Sequence, residues 1–299
     1  MSGRSYLKTL AMSEIRLIFP FFKKLEQRKK DGFLKYILLI LISPLILYRA
    51  FFQNTIPYVE LVVTPKCNLK CVGCANLMPC YDRTVGHIEF DILKGSIDAL
   101  TSVSKRIEVI KLIGGEPFLY PRLSEIVACA EKNKHVKKII ITTNGSITPK
   151  EEQLLKLKSK KLTIDISDYK IIDKKNLTEL LNKNGINYEI IEFESWTDYG
   201  DTKNRKFSDE ILSRSFRECA SAECKTILDG KLYICPRAAH GNALGIIPAK
   251  NDEYISMLEK PSIKDIKKLY SIPYIKACNH CTPVWERLEI ECGAQPFTS

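Results

Sequence analysis

Between residues 57 and 192 the chain alternates short apolar runs with longer mixed stretches. Five runs rich in Val and Ile read as strands: Val59–Thr64, Ile107–Ile113, Val136–Thr142, Leu162–Ser167 and Asn187–Glu192. Several are apolar at successive positions, the pattern of a parallel strand buried on both faces. The stretches between them read as helices, at about Phe90–Ser104, Pro121–Lys134, Pro149–Lys158 and Lys174–Asn184. Asp91 caps or charges the first of these, and Gly185 ends the fourth. Alternation of this kind builds an α/β fold on a parallel sheet, open or curled into a barrel.

The residues with chemical potential sit where strands finish. "VELVVT" runs into "PKCNLKC", "IEVIKLI" into "GGEP", "KKIIITT" into "NG", and "LTIDIS" into "DY". Each motif alone fits an ordinary turn. Their shared place at the ends of parallel strands, where α/β folds assemble their chemistry, makes the stronger case.

The N-terminal part reads differently. Residues 1–56 hold ten Lys/Arg against three Asp/Glu, while the other 243 residues hold 36 against 32. The net charge of +11 therefore belongs mainly to this segment, which argues against a nucleic-acid partner, since such proteins carry the basic patch on the folded domain. Tyr36–Tyr48 is uncharged over 13 residues, too short for a span of about 20, and Pro44 interrupts it. Three readings stand: a helix packed on the body, an anchor on the cytoplasmic membrane face, or a spanning helix.

Eleven cysteines are clustered rather than spread, and no cleavable signal peptide is evident, so metal or catalysis in a reducing cytoplasm is favoured over disulfides. Cys67, Cys71 and Cys74 form CxxxCxxC directly after the first strand. Thiolates bind soft metals and iron–sulfur clusters. Three on one loop hold three corners of a four-iron cluster and leave one iron open, the mark of a reactive rather than a closed site. Cys80 is the nearby alternative, which would close the site.

CxxxCxxC after the first strand, followed by "GGEP", "TTNG" and a fourth strand with polar end residues, resembles the radical S-adenosylmethionine superfamily over roughly residues 57–192. The resemblance implies a partial (β/α) barrel, a 4Fe-4S cluster held by Cys67, Cys71 and Cys74, and S-adenosylmethionine chelated on the open iron. Its reductive cleavage gives a 5′-deoxyadenosyl radical that abstracts hydrogen from substrate. By position, Gly114 and Gly115 would let backbone approach the methionyl amino group, and Glu116 would support that strand end. Asp165 and Ser167 are candidates for ribose contact, with Asn144 and Asp168 as substitutes. Gly73 departs from the family, which usually has an aromatic residue before the third cysteine; the adenine contact made there is then supplied in another way.

The C-terminal third adds Cys219, Cys224, Cys235, Cys278, Cys281 and Cys292. CxxC is a common zinc half-site, and chemistry alone leaves zinc and iron–sulfur open. Cys219, ten residues, Gly230, four residues, Cys235, then Cys278-x-x-Cys281 resembles the twitch form of the auxiliary-cluster domain, related to the longer SPASM form. The resemblance implies one second, auxiliary 4Fe-4S cluster on Cys219, Cys235, Cys278 and Cys281, with Cys224 and Cys292 as alternative ligands. Asp229-Gly230 reads as a type I′ hairpin turn, and Cys129 as a core residue on a helix. His87, His135, His240 and His280 read as supporting residues rather than ligands. Trp196, Tyr199 and Arg205 face the substrate or pack.

The expected organisation is residues 1–56 as a helical, membrane-associating extension, 57–205 as the radical core and 206–299 as a small Cys-rich auxiliary domain. The favoured function is an oxidoreductase, dehydrogenase-like, acting on a small molecule such as a sugar or lipid-linked sugar, with a reducing partner such as flavodoxin or ferredoxin. A peptide- or protein-modifying maturase and a non-catalytic iron–sulfur or zinc protein are the alternatives.

Overall fold

The structure, a computed structural model, describes residues 54–295 apart from Arg83. Most of the N-terminal extension, Tyr36–Tyr48 included, lies outside the described residues. Among those described, no helix is long and apolar enough to cross a membrane.

The strands are β1 (Thr55–Ile56), β2 (Val59–Thr64), β3 (Arg106–Gly114), β4 (Val136–Thr143), β5 (Leu162–Asp168), β6 (Tyr188–Glu192), β7 (Trp196–Thr197), β8 (Thr226–Leu228), β9 (Lys231–Tyr233), β10 (Tyr254–Ser256) and β11 (Glu289–Ile290). The helices are α1 (Phe90–Val103), α2 (Leu123–Lys132), α3 (Glu151–Leu155), α4 (Lys175–Asn184), α5 (Asp209–Glu218), α6 (Pro236–Ala243) and α7 (Ile263–Tyr270). The five expected strands and four expected helices are all present, shifted at their ends by a few residues. Asp91 charges the first turn of α1 without capping it, and Gly185 ends α4.

Nine strands form one sheet in the order β10-β9-β8-β2-β3-β4-β5-β6, with β1 beside β3. Strands β2 to β6 run parallel, and β8 joins β2 in the same direction. The architecture is the expected partial α/β barrel. The Cys-rich part enters the same sheet: the β8–β9 hairpin turns on Asp229 and Gly230, both at positive φ (48° and 72°), as a type I′ turn requires.

One side chain per pair of positions faces the helices. Leu61, Ile110, Ile139 and Ile164 are fully buried there with Leu93 and Leu100 of α1. Each such side chain contributes about 1.5–3 kcal/mol. The opposite face differs from the expectation of strands apolar on both sides. Glu60 stands opposite Lys111, and Asp165 opposite Thr142, so the inner face carries a polar layer beneath the strand ends.

His240 of α6 is fully buried, with Nδ1 2.8 Å from the Tyr81 hydroxyl and Nε2 without a partner among the described residues. Burial alone pushes its pKa down to about 3. A folded value below the unfolded one leaves stability intact above about pH 6.5, and it is lost as pH falls toward the folded value. Between these limits the imidazole accounts for about 1.4 kcal/mol per pH unit. His240→Asn, which keeps an acceptor for Tyr81, should flatten the loss of stability between pH 6 and 4 in denaturant unfolding. An unchanged slope would clear His240 as the source.

Candidate active site

The ends of β2 to β5 open onto a cleft of about 370 Å³. Cys67, Cys71 and Cys74 line it from the loop after β2, Gly114 and Gly115 from the end of β3, and Asn144 and Ser167 from beyond β4 and within β5. Three of the expected site residues, Glu116, Asp165 and the substitute Asp168, lie outside this lining.

Glu116 is completely buried beneath the cleft. Its carboxylate accepts from Phe118 N at 3.0 Å, Thr143 Oγ1 at 2.8 Å and Asn144 N at 2.8 Å. Its own N–H donates to Lys66 O at 2.8 Å, and that of Gly115 donates to Thr64 O at 2.8 Å. One residue thus ties the ends of β2, β3 and β4. Desolvation raises its pKa to about 7 against the opposing pull of the three donors. The two glycines are required by the same packing: a Cβ on Gly114 would stand 2.2 Å from Thr64 O, and one on Gly115 2.2 Å from Lys66 O and 2.6 Å from Cys67 Cβ. Their smallness lets the cysteine loop lie directly on β3.

Asn144 is spent on that loop as well. Its Nδ2 donates to Asn68 Oδ1 at 3.2 Å and lies 4.0 Å from Cys67 Sγ, while its Oδ1 accepts from Ser146 N at 2.8 Å. Ser167 is buried in the lining and bonds Tyr169. Asp165 faces Lys111 at 4.0 Å in the polar layer below, and Asp168 turns to Lys174 at 2.6 Å. Cys80 is exposed and does not line the cleft.

The C-terminal segment closes over the cysteine loop. Val72 N donates to Ala294 O, and Lys70 N to Gln295 Oε1, both at 2.7 Å. Gln295 Nε2 donates to Cys71 Sγ at 3.1 Å. Here lies the reason for Gly73. It sits at φ 72°, and a Cβ would fall 2.1 Å from Ile290 Cδ1, so β11 fills the place a larger side chain would need. β11 pairs with β7, whose Trp196 joins Tyr169 and Phe193 in an aromatic wall of the cleft, at ring distances of 5.0 and 5.8 Å from Tyr169. Burial pushes the Cys67 thiol up to about 12 and the Cys71 and Cys74 thiols upward. Backbone N–H groups of Leu69, Asn76 and Met78 act in the other direction, toward thiolate.

A second cavity gathers Cys219, Cys235, Cys278 and Cys281, the four residues that the resemblance to the auxiliary-cluster domain implies. Neither alternative joins them. Cys224 turns to Glu60 in the polar layer, and Cys292 lies buried by the C-terminal turn. Burial and the neighbouring sulfurs push Cys235 up to about 12 and Cys278 well above its ordinary value. Tyr199 lines both the cleft and this cavity, and its hydroxyl meets Ser221 Oγ at 2.5 Å. Arg205 points away, to Asp201 at 2.7 Å. The four histidines bond Thr64, Thr101, Tyr81 and Thr202 and line neither thiol site.

Among the described residues, no three His, Cys, Asp or Glu side chains are gathered tightly enough for a single metal ion. A four-iron cube spreads its thiolates over several irons. The all-sulfur donor sets, with N–H groups turned to the sulfurs, fit such a cluster. Sequence had no signal for Gln295 or Ile290, which reach the loop from the far end of the chain.

Comparison with known proteins agrees with the core. The family model described as the Radical SAM superfamily matches residues 61–191. The GTP 3',8-cyclase of Chlorobaculum tepidum is 29% identical over 100 residues, covering 33% of this chain and 29% of that protein. The probable GTP 3',8-cyclase of Methanococcus maripaludis is 37% identical over 102 residues, covering 32% and 31%. The chain thus spans about a third of the length of the curated relatives it matches. Among solved structures, BtrN in complex with AdoMet and 2-DOIA aligns over 82% of this chain and 100% of that one, at 15% identity and a TM-score of 0.49. Native anSMEcpe with bound AdoMet aligns over 75% and 84%, at 15% identity and a TM-score of 0.48.

Glu116→Gln tests the knot beneath the cleft. The amide oxygen can keep Phe118 N and Thr143 Oγ1, but its NH₂ then faces Asn144 N–H. We expect a loss of about 1–3 kcal/mol in denaturant unfolding, with weaker retention of iron on the cysteine loop. Wild-type stability and iron content would show that the tie is dispensable.

Proposed function

We propose that this chain, whose residues 61–191 match the Radical SAM superfamily model and whose cofactors on that reading are a 4Fe-4S cluster and S-adenosylmethionine, oxidises a hydroxyl-bearing small molecule without anionic groups, of the sugar or aminocyclitol type. The observation that carries this reading is the composition of the cleft wall. Among the described residues no Asp, Glu, Lys, Arg or His lines it. Aromatic rings (Tyr169, Phe193, Trp196) and hydroxyls (Ser167, Ser195, Thr197) make up its far side. Rings stack on the flat faces of a sugar or base, and hydroxyls bond its hydroxyls. A triphosphate would demand cations that this lining lacks, so the substrate named for the curated relatives is not carried over.

Cys67, Cys71 and Cys74 hold the first cluster on this reading, with Gly114 and Gly115 at the methionyl group and Ser167 near the ribose. Cys219, Cys235, Cys278 and Cys281 hold the auxiliary one. When bound, the first cluster with S-adenosylmethionine supplies a hydrogen-abstracting 5′-deoxyadenosyl radical, and the second supplies a one-electron acceptor. Leu69, Met78 and Ile113 keep water from the reacting centre. Asn144, Glu116 and Gln295 hold the cysteine loop in place. Tyr199, as the shared wall, brings substrate site and four-thiol cavity together, which supports oxidation over a redox-neutral outcome.

Anaerobically reconstituted protein should hold about eight irons, two clusters of four. Changing Cys67, Cys71 and Cys74 together to Ala should remove about half and abolish 5′-deoxyadenosine. Changing Cys278 and Cys281 to Ala should leave S-adenosylmethionine cleavage but little product. The product should be oxidised by two electrons, with one 5′-deoxyadenosine per product formed. Full turnover in the Cys278, Cys281 variant, or zinc with only four irons, would overturn the auxiliary role.

The basic, apolar residues 1–56 are proposed to bring the enzyme to an anionic membrane surface. Full-length protein should float with liposomes of anionic lipid at low salt, and protein lacking the segment should not. Sedimentation of both forms would rule the anchor out and weaken the case for a lipid-linked sugar.

A further inference from the structure

The four-thiol cavity is not lined by sulfur and apolar groups alone. Two guanidinium groups enter it, Arg237 from the first turn of α6 and Arg287 from the segment after Cys281. Arg287 Nη1 donates to Cys219 Sγ at 3.3 Å, and its Nε donates to Thr282 O at 2.8 Å. Arg237 is only 4% exposed. Its Nη2 donates to Gly200 O at 2.6 Å, it reaches the Cys281 sulfur, and its Nε has no partner among the described residues. Both guanidiniums face the ring of Tyr199, with Cζ 5.9 Å from the centroid for Arg237 and 4.5 Å for Arg287.

No carboxylate lines this cavity, and neither arginine has an ion pair with a described Asp or Glu. Burying a cation without a counter-charge is costly. Arg237 is buried without one and Arg287 is half-buried, and the two reach the Cys281 and Cys219 sulfurs, an arrangement that makes sense when those sulfurs belong to an anion. Four thiolates on a four-iron core give a net anionic centre, and reduction makes it more negative by one charge. Nearby fixed cations favour the more negative state, and hydrogen bonds to the sulfurs act in the same direction.

We propose that Arg237 and Arg287 are positioning residues that balance the charge of the auxiliary cluster and raise its reduction potential, so that it is poised to accept an electron from the neighbouring cleft. The inference rests on the auxiliary-cluster reading given above. It concerns the electrostatics of the cavity, and neither arginine is required to touch substrate.

The test uses full-length protein in which Cys67, Cys71 and Cys74 are changed to Ala, so that one cluster is observed alone. Iron is counted after anaerobic reconstitution, and the midpoint potential is read by titration with detection of the reduced cluster's electron spin resonance. Arg237→Gln and Arg287→Gln should each move the potential to more negative values, and the double change further, with iron held at the parent's level. Arg237→Lys and Arg287→Lys keep the charge and should stay nearer the parent. If a Gln variant loses its iron while the Lys variant keeps it, the charge-balancing role is supported. Unchanged potentials in the Gln variants, with iron retained, would overturn the inference alone. So would Lys variants that shift as far as the Gln ones, because packing rather than charge would then be responsible. A parent that binds no iron, or binds zinc, would overturn the auxiliary-cluster reading and this inference with it.

Discussion

The cleft depends on a buried carboxylate. Glu116 is closed off from water, where a charge without partners would be unaffordable. Three donors from two segments converge on it, and its own N–H reaches back to Lys66 O on the cysteine loop. The carboxylate therefore acts as a knot rather than a ligand. It fixes the ends of β2, β3 and β4 against one another, and the loop carrying Cys67, Cys71 and Cys74 inherits its place from that arrangement. Gly114 and Gly115 serve the same end by letting β3 lie against the loop without a Cβ between them.

A second constraint sets where the other cysteines go. β8 adds to β2 in parallel, and Glu60 N donates to Lys225 O at 2.7 Å just before the pairing begins. Thr226 Oγ1 reaches across to Glu60 Oε2 at 3.0 Å. The hairpin that delivers Cys235 is thus an extension of the core sheet. A swinging attachment would not hold two thiol sites at a fixed spacing. With β8 in the sheet, Tyr199 can stand as a single wall between them.

What sequence could and could not reveal follows from the range of each interaction. The five strands were legible because Val, Ile and Leu recur at their helix-facing positions despite the polar inner layer, and the turn at Asp229-Gly230 because its backbone conformation narrows the choice of residues. The gathering of Cys219, Cys235, Cys278 and Cys281 was foreshadowed by the resemblance their pattern carries, while the absence of Cys224 and Cys292 from the lining of that cavity depends on contacts that spacing could not supply. Glu60 was hidden inside an apolar strand, since a polar inner layer leaves one charged residue in a run of valines. Asp165 looked like a cleft residue because it lies near a strand end, yet it stands one pleat below, against Lys111. Gln295, 224 residues from Cys71, left no local trace at all. Gly73 was visible as an anomaly, but its cause, Ile290, lies in a strand that forms only once the chain has folded.

The two thiol sites differ in charge as well as in their number of cysteines. Among the described residues the cleft is lined without an ionisable side chain other than its thiols and tyrosines, while the adjoining cavity receives two guanidinium groups with no carboxylate partner among those residues. On the proposed reading this segregation has a purpose. A neutral carbon radical gains nothing from a charged surround, and charged groups beside it would bring water and competing proton transfers with them. An electron leaving that radical does respond to charge, and past Tyr199 lie the two guanidinium groups around Cys219 and Cys281. The dry, aromatic cleft and the cationic cavity would then be two halves of one device, the first preserving the radical long enough for the second to oxidise it.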